Sequence, residues 1–121
     1  MKTMATATIY HNPRCGTSRT VLQRLQDAGL EVEIIEYLKT PPARDRLEAL
    51  IHATGLSVRE AIRSKEALFT ELKLDDATLE ESALLDAMAA HPILINRPIV
   101  VTERGTRLCR PADVVEEILP A

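Results

Sequence analysis

A strand, a helix and a second strand are predicted within the first 38 residues, and this order restricts the possible folds more than any other feature. The segment "ATATIYH" (5–11) alternates in polarity and contains β-branched residues, as strands do. "TSRTVLQRLQDAG" (17–29) has apolar residues at helical spacing and ends in a glycine, and "LEVEIIEYL" (30–38) predicts the second strand. Because a helix connects them, the two strands should be parallel, with a right-handed crossover. We therefore expect an α/β fold.

The middle of the chain, residues 39–91, is predicted to be mainly helical. "PPARDRLEALIHATG" (41–55) has prolines near its start and a glycine at its end, which is typical of a helix. "SVRE" (57–60) and "TLEE" (78–81) both have the spacing of a capping box, so each should open a further helix. We predict a helical insert over about 41–91 within a single domain of 121 residues.

Two strands and a helix are predicted after the insert. "RPIVVT" (97–102) and "TRLCR" (106–110) should form an antiparallel hairpin that turns at Gly105. "PADVVEEIL" (111–119) has a proline in its first turn and predicts a last helix. The whole order is β-α-β, a helical insert, and β-β-α. This is a thioredoxin-like order, with a small mixed sheet of four strands covered by helices.

Composition and charge exclude several classes of protein. The formal net charge of −3 argues against nucleic-acid binding driven by bulk charge. No apolar run approaches the ~20 residues that span a bilayer, and "MKTMATATIYHNP" lacks the apolar core of a signal peptide. The two cysteines, Cys15 and Cys109, do not make a disulfide framework. We expect a cytoplasmic protein with neither nucleic acid nor membrane as a partner.

One stretch is basic within this acidic chain. Residues 92–111 contain four arginines and one glutamate, a local net charge of +3. Arginine suits planar recognition of oxyanions better than lysine does. Two of these arginines, Arg97 and Arg110, are our candidates for an anion site, whereas Arg104 and Arg107 are interpreted as solvated surface charges.

The candidate reactive group is Cys15 in "HNPRCGTSR" (11–19), where the first predicted strand ends and the first helix begins. Free backbone N–H groups and the helix dipole favour negative charge at such a position. Cysteines placed there titrate below the free value of ~8.5. Cys15 is therefore a candidate nucleophile.

The residues around Cys15 predict an oxyanion cradle at the start of the helix. Gly16 leaves room for an anion to approach the backbone. Arg14 offers charge, and Thr17 and Ser18 offer hydroxyl groups. His11 and Arg14 are candidates to tune the pKa of the Cys15 thiol. His11 could do so by hydrogen bonding, or it could serve packing alone.

Ser18 stands where a dithiol redox motif would have its second cysteine. A phosphatase-type loop is also excluded, because Val21 occupies the position that such a loop gives to arginine. The remaining internal thiol, Cys109, is interpreted as structural. Cys15 must therefore draw its arginines, and the thiol that resolves its intermediate, from elsewhere.

The chain resembles the glutathione- and glutaredoxin-dependent arsenate reductases. The likeness is carried by "HNPRCGTSR" (11–19) and by "HPILINRPIVVTERGTRLCRP" (91–111). "YLKTPPARDRLEALI" (37–51) and "SVREAIRSKE" (57–66) also fit, so the resemblance covers nearly the whole chain.

The resemblance implies a thioredoxin-like fold and the reduction of arsenate to arsenite. It implies that Cys15 is the nucleophile and that Arg63, Arg97 and Arg110 bind the arsenate. The residues alone give no reason to choose Arg63 over Arg59, which is four positions earlier. The resemblance also implies a cis peptide bond before Pro98, which would turn Arg97 toward Cys15.

Glutathione is the co-substrate and glutaredoxin the protein partner that the resemblance implies, with no bound cofactor. No spacing of His, Cys, Asp and Glu predicts a metal site. Three other functions stay open: a thioredoxin-like regulatory protein that binds RNA polymerase, a thiol-linked reductase of another substrate, and an interaction module with an inert Cys15.

Overall fold

The structure, a computed structural model, describes residues 5–120, which form two compact units. The sheet unit contains the described residues up to Thr40 and from Arg97 onward, and the helical unit is Pro41–Asn96. The helical unit begins where the insert was predicted and continues to Asn96 instead of ending at about residue 91. That the whole chain acts as a single domain stays a prediction.

The sheet unit is built on four strands in the order β2-β1-β3-β4. Its elements are β1 (Thr6–His11), α1 (Gly16–Asp27), β2 (Glu31–Glu36), β3 (Ile99–Thr102) and β4 (Gly105–Leu108). β1 and β2 are parallel, and the pairs β1/β3 and β3/β4 are antiparallel. The predicted α/β class and the mixed four-stranded sheet are confirmed.

The core of the sheet unit lies between one face of the sheet and α1. Ile9 on β1 is directly opposite Val100 on β3, and both side chains are fully buried. Val21 and Leu25 of α1 pack into the same cluster, with Cys109 among their neighbours. Burial of an aliphatic side chain stabilises a fold by about 1.5–3 kcal/mol. This packing fixes α1, and therefore its N-terminus, against the end of β1.

The C-terminal segment differs from its prediction. Residues Ala112–Ile118 form a 3-10 helix, whereas the sequence predicts an α-helix over 111–119. Side chains from the hairpin take the carbonyl groups at the end of the segment. Thr102 Oγ1 donates to the Ile118 carbonyl (2.7 Å) and Arg104 Nη1 to the Leu119 carbonyl (2.8 Å). These side chains satisfy carbonyl groups at the end of the segment, where a helix leaves its last carbonyls without partners.

The helical unit contains α2 (Arg44–Thr54), α3 (Val58–Ala61), α4 (Ala67–Glu71) and α5 (Glu81–Ala90), followed by a 3-10 turn, Pro92–Leu94. The capping box at the start of α3 is confirmed. Glu60 N donates to Ser57 Oγ (3.1 Å), and Ser57 N donates to Glu60 Oε1 (2.9 Å).

The second predicted capping box, at 78–81, is wrong. The backbone N–H and the hydroxyl of Thr78 both donate to Asp76 Oδ1, at 2.8 and 2.6 Å. Glu81 Oε1 accepts from the Val58 amide at the start of α3 (2.9 Å) instead of reaching back to Thr78. The local turn at Asp76 and the contact between α5 and α3 therefore take both partners of the expected box.

None of the helices between residues 5 and 120 combines the length and apolar character that a membrane span requires.

Candidate active site

Cys15 lies in the turn between β1 and α1, where it is the N-cap residue of α1. Its backbone is extended (φ −90°, ψ 121°), and its amide donates to the Asn12 carbonyl (3.0 Å). The side chain is half-buried. Cys15 thus lies where the sequence predicts it, between the first strand and the first helix.

Three donors surround the sulfur of Cys15. Arg110 Nη1 lies 3.5 Å from Sγ, and the Ser18 amide and the Arg97 side chain also donate to it. Burial by itself would raise the pKa of this thiol. The amide and the two guanidinium groups outweigh burial and hold the pKa of Cys15 below its ordinary value. The expected thiolate character of Cys15 thus has a structural cause in named donors.

The two arginines are connected to each other through the backbone. Arg110 Nη1 also donates to the Arg97 carbonyl (3.1 Å). Arg97 is buried, with only 7% of its surface exposed. The Arg97–Pro98 bond is cis, as the resemblance implies. The Arg110–Pro111 bond is also cis, which the sequence analysis did not anticipate.

Ser18 is fully buried, and its hydroxyl is used inside the protein. Oγ lies 2.6 Å from Nδ1 of the buried His11 and accepts from the Asn12 amide (3.1 Å). The expectation that this hydroxyl helps to bind substrate is not supported by the geometry. It instead fixes the turn that carries Cys15, while the Ser18 amide contacts the sulfur.

His11 acts on this turn through Ser18. Burial lowers its pKa, Arg19 lowers it further, and Glu36 opposes both. A lowered pKa favours the neutral imidazole, whose tautomer decides which partner donates in the bond between Nδ1 and the Ser18 hydroxyl. That His11 or Arg14 tunes the Cys15 thiolate stays a prediction.

The other predicted cradle residues lie at the start of α1. Gly16 is exposed, and a Cβ atom there would find only Arg19 Nη2, at 3.7 Å. Thr17 is half-buried and Arg14 is exposed. Their part in substrate binding also stays a prediction.

In the helical unit, Arg59 and Arg63 have different hydrogen-bond partners, a distinction that the sequence alone could not make. The Arg59 guanidinium donates to three backbone carbonyls of one loop, those of Leu74 (3.2 Å), Asp76 (3.1 Å) and Leu79 (3.4 Å). Arg59 therefore stabilises a loop. Arg63 is half-buried and contacts two side chains, Glu66 and Asn96.

A comparison with known families places the chain. Residues 10–118 match the family model described as the ArsC family. The chain belongs to the ArsC family. Both the Cys15 turn and the Arg97 and Arg110 positions lie within the matched residues.

Relatives within the ArsC family are similar over most of their length. The chain is 59% identical over 115 residues to the arsenate reductase of Rhizobium meliloti (strain 1021), covering 95% of this chain and 82% of that protein. It is 54% identical over 117 residues to the arsenate reductase of Escherichia coli (strain K12), covering 97% and 83%. Among solved structures, an arsenate reductase from Vibrio cholerae has a TM-score of 0.92 at 44% identity, covering 97% of this chain and all of that one. The thioredoxin-like fold is thus confirmed.

Cys109, the second thiol of this ArsC-family chain, is inaccessible. Its side chain is fully buried, and burial, with Glu117 nearby, raises its pKa to about 12. Sγ contacts the Arg107 carbonyl at 3.8 Å. The geometry agrees with the structural interpretation of Cys109, since a protonated buried thiol is a poor nucleophile.

Besides the cis bond before Pro111, two features of this site were missed by sequence reasoning. The hydrogen bond between Ser18 and His11 was one, although their seven-residue separation across the end of a strand and the first helical turn could have suggested it. The carboxylate partner of Arg63, Glu66, was the other; its i, i+3 spacing is the available signal.

Among the residues between 5 and 120, no group of three His, Cys, Asp or Glu side chains could hold a metal ion.

Proposed function

We propose that this chain is an arsenate reductase whose nucleophile is Cys15. The observation that carries the proposal is the sulfur of Cys15 at the N-terminus of α1, with Arg110 Nη1 at 3.5 Å and a lowered pKa. The arsenate reductases among the relatives support the substrate.

Arsenate would be bound by backbone donors and by arginines. The N–H groups of Gly16 and Thr17 belong to the first turn of α1, where a helix accommodates an anion. Arg97 and Arg110 already lie at the sulfur that must approach the anion. Arg63 completes the set by family resemblance. These cations neutralise charge that would otherwise repel the thiolate, and they stabilise the oxygen that leaves.

The first chemical step is a substitution at arsenic. The Cys15 thiolate attacks, an arsenic–sulfur bond forms, an arsenic–oxygen bond breaks, and the oxygen leaves as water or hydroxide. Arsenic is not yet reduced. The glutathione thiol then displaces a second oxygen as water and forms a second arsenic–sulfur bond. A glutaredoxin thiolate attacks the glutathione sulfur and forms a mixed disulfide with it, and the electron pair of the broken arsenic–sulfur bond reduces As(V) to As(III). Water cleaves the remaining arsenic–sulfur bond, which releases arsenite and restores the Cys15 thiol.

An external thiol is needed because neither internal position can supply one. Position 18 is a serine whose hydroxyl is bonded to His11, and Cys109 is buried with a pKa of about 12. Glutathione therefore enters as a co-substrate, and the proposal requires no bound cofactor.

The test is arsenate-dependent oxidation of NADPH with glutathione, glutaredoxin and glutathione reductase supplied. We expect Cys15→Ser to lose turnover at least about a thousandfold, because the nucleophile is removed. Cys109→Ala is the matched control and should retain most of the activity. Activity in Cys15→Ser would contradict the proposal, and a rate that is unchanged without glutaredoxin would contradict the proposed electron donor.

A further inference from the structure

Arg63 is ion-paired with a carboxylate of its own unit. Nε donates to Glu66 Oε1 at 3.1 Å. Only 20% of the Arg63 side chain and 27% of the Glu66 side chain are exposed. Water and salt therefore screen this pair less than a surface pair, so it affects how strongly Arg63 attracts another anion.

The position of Arg63 depends on more than Glu66. Its amide donates to the Leu94 carbonyl (2.7 Å), and Nη1 donates to Asn96 Oδ1 (3.4 Å). The first contact holds the backbone of Arg63, and the second holds its guanidinium. A neutral residue in place of Glu66 would leave both contacts and remove the negative charge beside Nε.

A carboxylate and a tetrahedral oxyanion use the same part of a guanidinium. Both bind most strongly to two parallel N–H donors, and the fork formed by Nε and Nη2 is one such pair. Glu66 takes Nε of that fork in Arg63. An oxyanion that binds there must take the place of the carboxylate.

We propose that Glu66 is an internal counter-anion that competes with the substrate oxyanion for Arg63 and so weakens its binding. The inference rests on the proposed function, in which Arg63 binds arsenate. Glu66 touches neither substrate nor the reacting atoms; it sets the affinity of the residue that does. A site with less affinity for oxyanions in general retains fewer anions that it cannot reduce.

The direct test is arsenate binding, measured by titration calorimetry in a Cys15→Ser background where no covalent step follows. Glu66→Gln keeps the shape of the side chain and removes its charge. We expect the Kd for arsenate to fall about three- to tenfold, the range that a partly screened ion pair allows. Glu71→Gln is the matched control, since it removes the same charge from an exposed position of α4 and should leave the Kd unchanged.

Two further variants separate the possible outcomes. Glu66→Ala should tighten binding as Glu66→Gln does, and adding Arg63→Ala should abolish the gain. In turnover, the Glu66 variants with Cys15 present should lower KM more than they change kcat. An equal gain in Glu71→Gln, or unchanged or weaker binding in both Glu66 variants, would overturn the inference while leaving the proposed function standing. If Arg63→Ala alone does not weaken binding, or if arsenate does not bind at all, the proposed substrate site fails as well.

Discussion

Cys15 and Cys109 lie in the same unit of the molecule, yet their surroundings give them opposite chemistry. Cys15 caps a helix and receives hydrogen bonds from an amide and two guanidinium groups, which lower its pKa. Cys109 follows a strand and packs into the aliphatic core, where burial raises its pKa to about 12. Arg110 is the next residue after Cys109 in the chain, but its guanidinium contacts the sulfur of Cys15.

This contrast shows that surroundings in the fold, and not proximity in sequence, decide which thiol is activated. Cys109 and Arg110 both follow the end of β4 at Leu108. The Cys109 side chain is fully buried in the core, whereas the half-buried Arg110 side chain reaches the sulfur of Cys15. The same stretch of chain supplies a buried packing residue and a cation beside the Cys15 sulfur.

The largest expected difference is in reactivity toward an alkylating reagent. Iodoacetamide at neutral pH should modify Cys15 at least about a thousandfold faster than Cys109, because only Cys15 is both accessible and partly ionised. Mass spectrometry of single-cysteine variants, Cys109→Ala and Cys15→Ala, gives the two rates. Comparable alkylation rates of Cys15 and Cys109 in the folded protein would contradict the difference between the two thiols.

A smaller effect is expected when one donor is removed. Arg110→Ala should raise the pKa of Cys15, since its hydrogen bond and charge both lower it. The alkylation rate at pH 7 should then fall several-fold, up to about tenfold for each unit by which the pKa rises. The pH profile of alkylation measures the shift directly. Arg46→Ala removes an equal charge from an exposed position of α2, and a similar shift there would mean that net charge alone is responsible.

The smallest expected effect is on the pH dependence of the free energy of unfolding, where the two thiols should contribute with opposite signs. The folded pKa of Cys15 is lowered, so its contribution to the free energy of unfolding should increase as pH rises toward the unfolded thiol pKa of ~8.5. The folded pKa of Cys109 is raised, so its contribution should decrease above that pH, with a slope approaching about 1.4 kcal/mol per pH unit.

Urea unfolding of the wild type, Cys15→Ala and Cys109→Ala between pH 6 and 10 isolates the two contributions. Subtracting each variant from the wild type should give slopes of opposite sign. Slopes of the same sign would show that the two thiols do not differ as the structure indicates.

Local patterns were enough to predict the sheet, its connections and the position of Cys15. They were not enough where a distant group competes for a local partner. Ser57 and Glu60 bond to each other, whereas Thr78 bonds to Asp76 and Glu81 reaches α3. The sequence shows the spacing of both boxes but not this competition.

The same limit applies to the candidate site. Local charge alone identified Arg97 and Arg110, since both lie in one basic stretch. Local charge could not show which of Arg59 and Arg63 is the better candidate for the anion site. The two differ in their partners, since Arg59 donates hydrogen bonds to loop carbonyls. Nor could spacing reveal that the hydroxyl of Ser18 is buried against His11, since burial depends on how α1 packs on the sheet.

The bond from Arg110 Nη1 to the Arg97 carbonyl has a consequence for the moving charge of the proposed reaction. Negative charge begins on sulfur and passes to an oxygen of arsenate as the new bond forms. A cation that is tied to the backbone beside the sulfur stays within reach of both locations. In the proposed reaction the protein would not have to rearrange its dipoles while the charge migrates, and this preorganisation would lower the barrier.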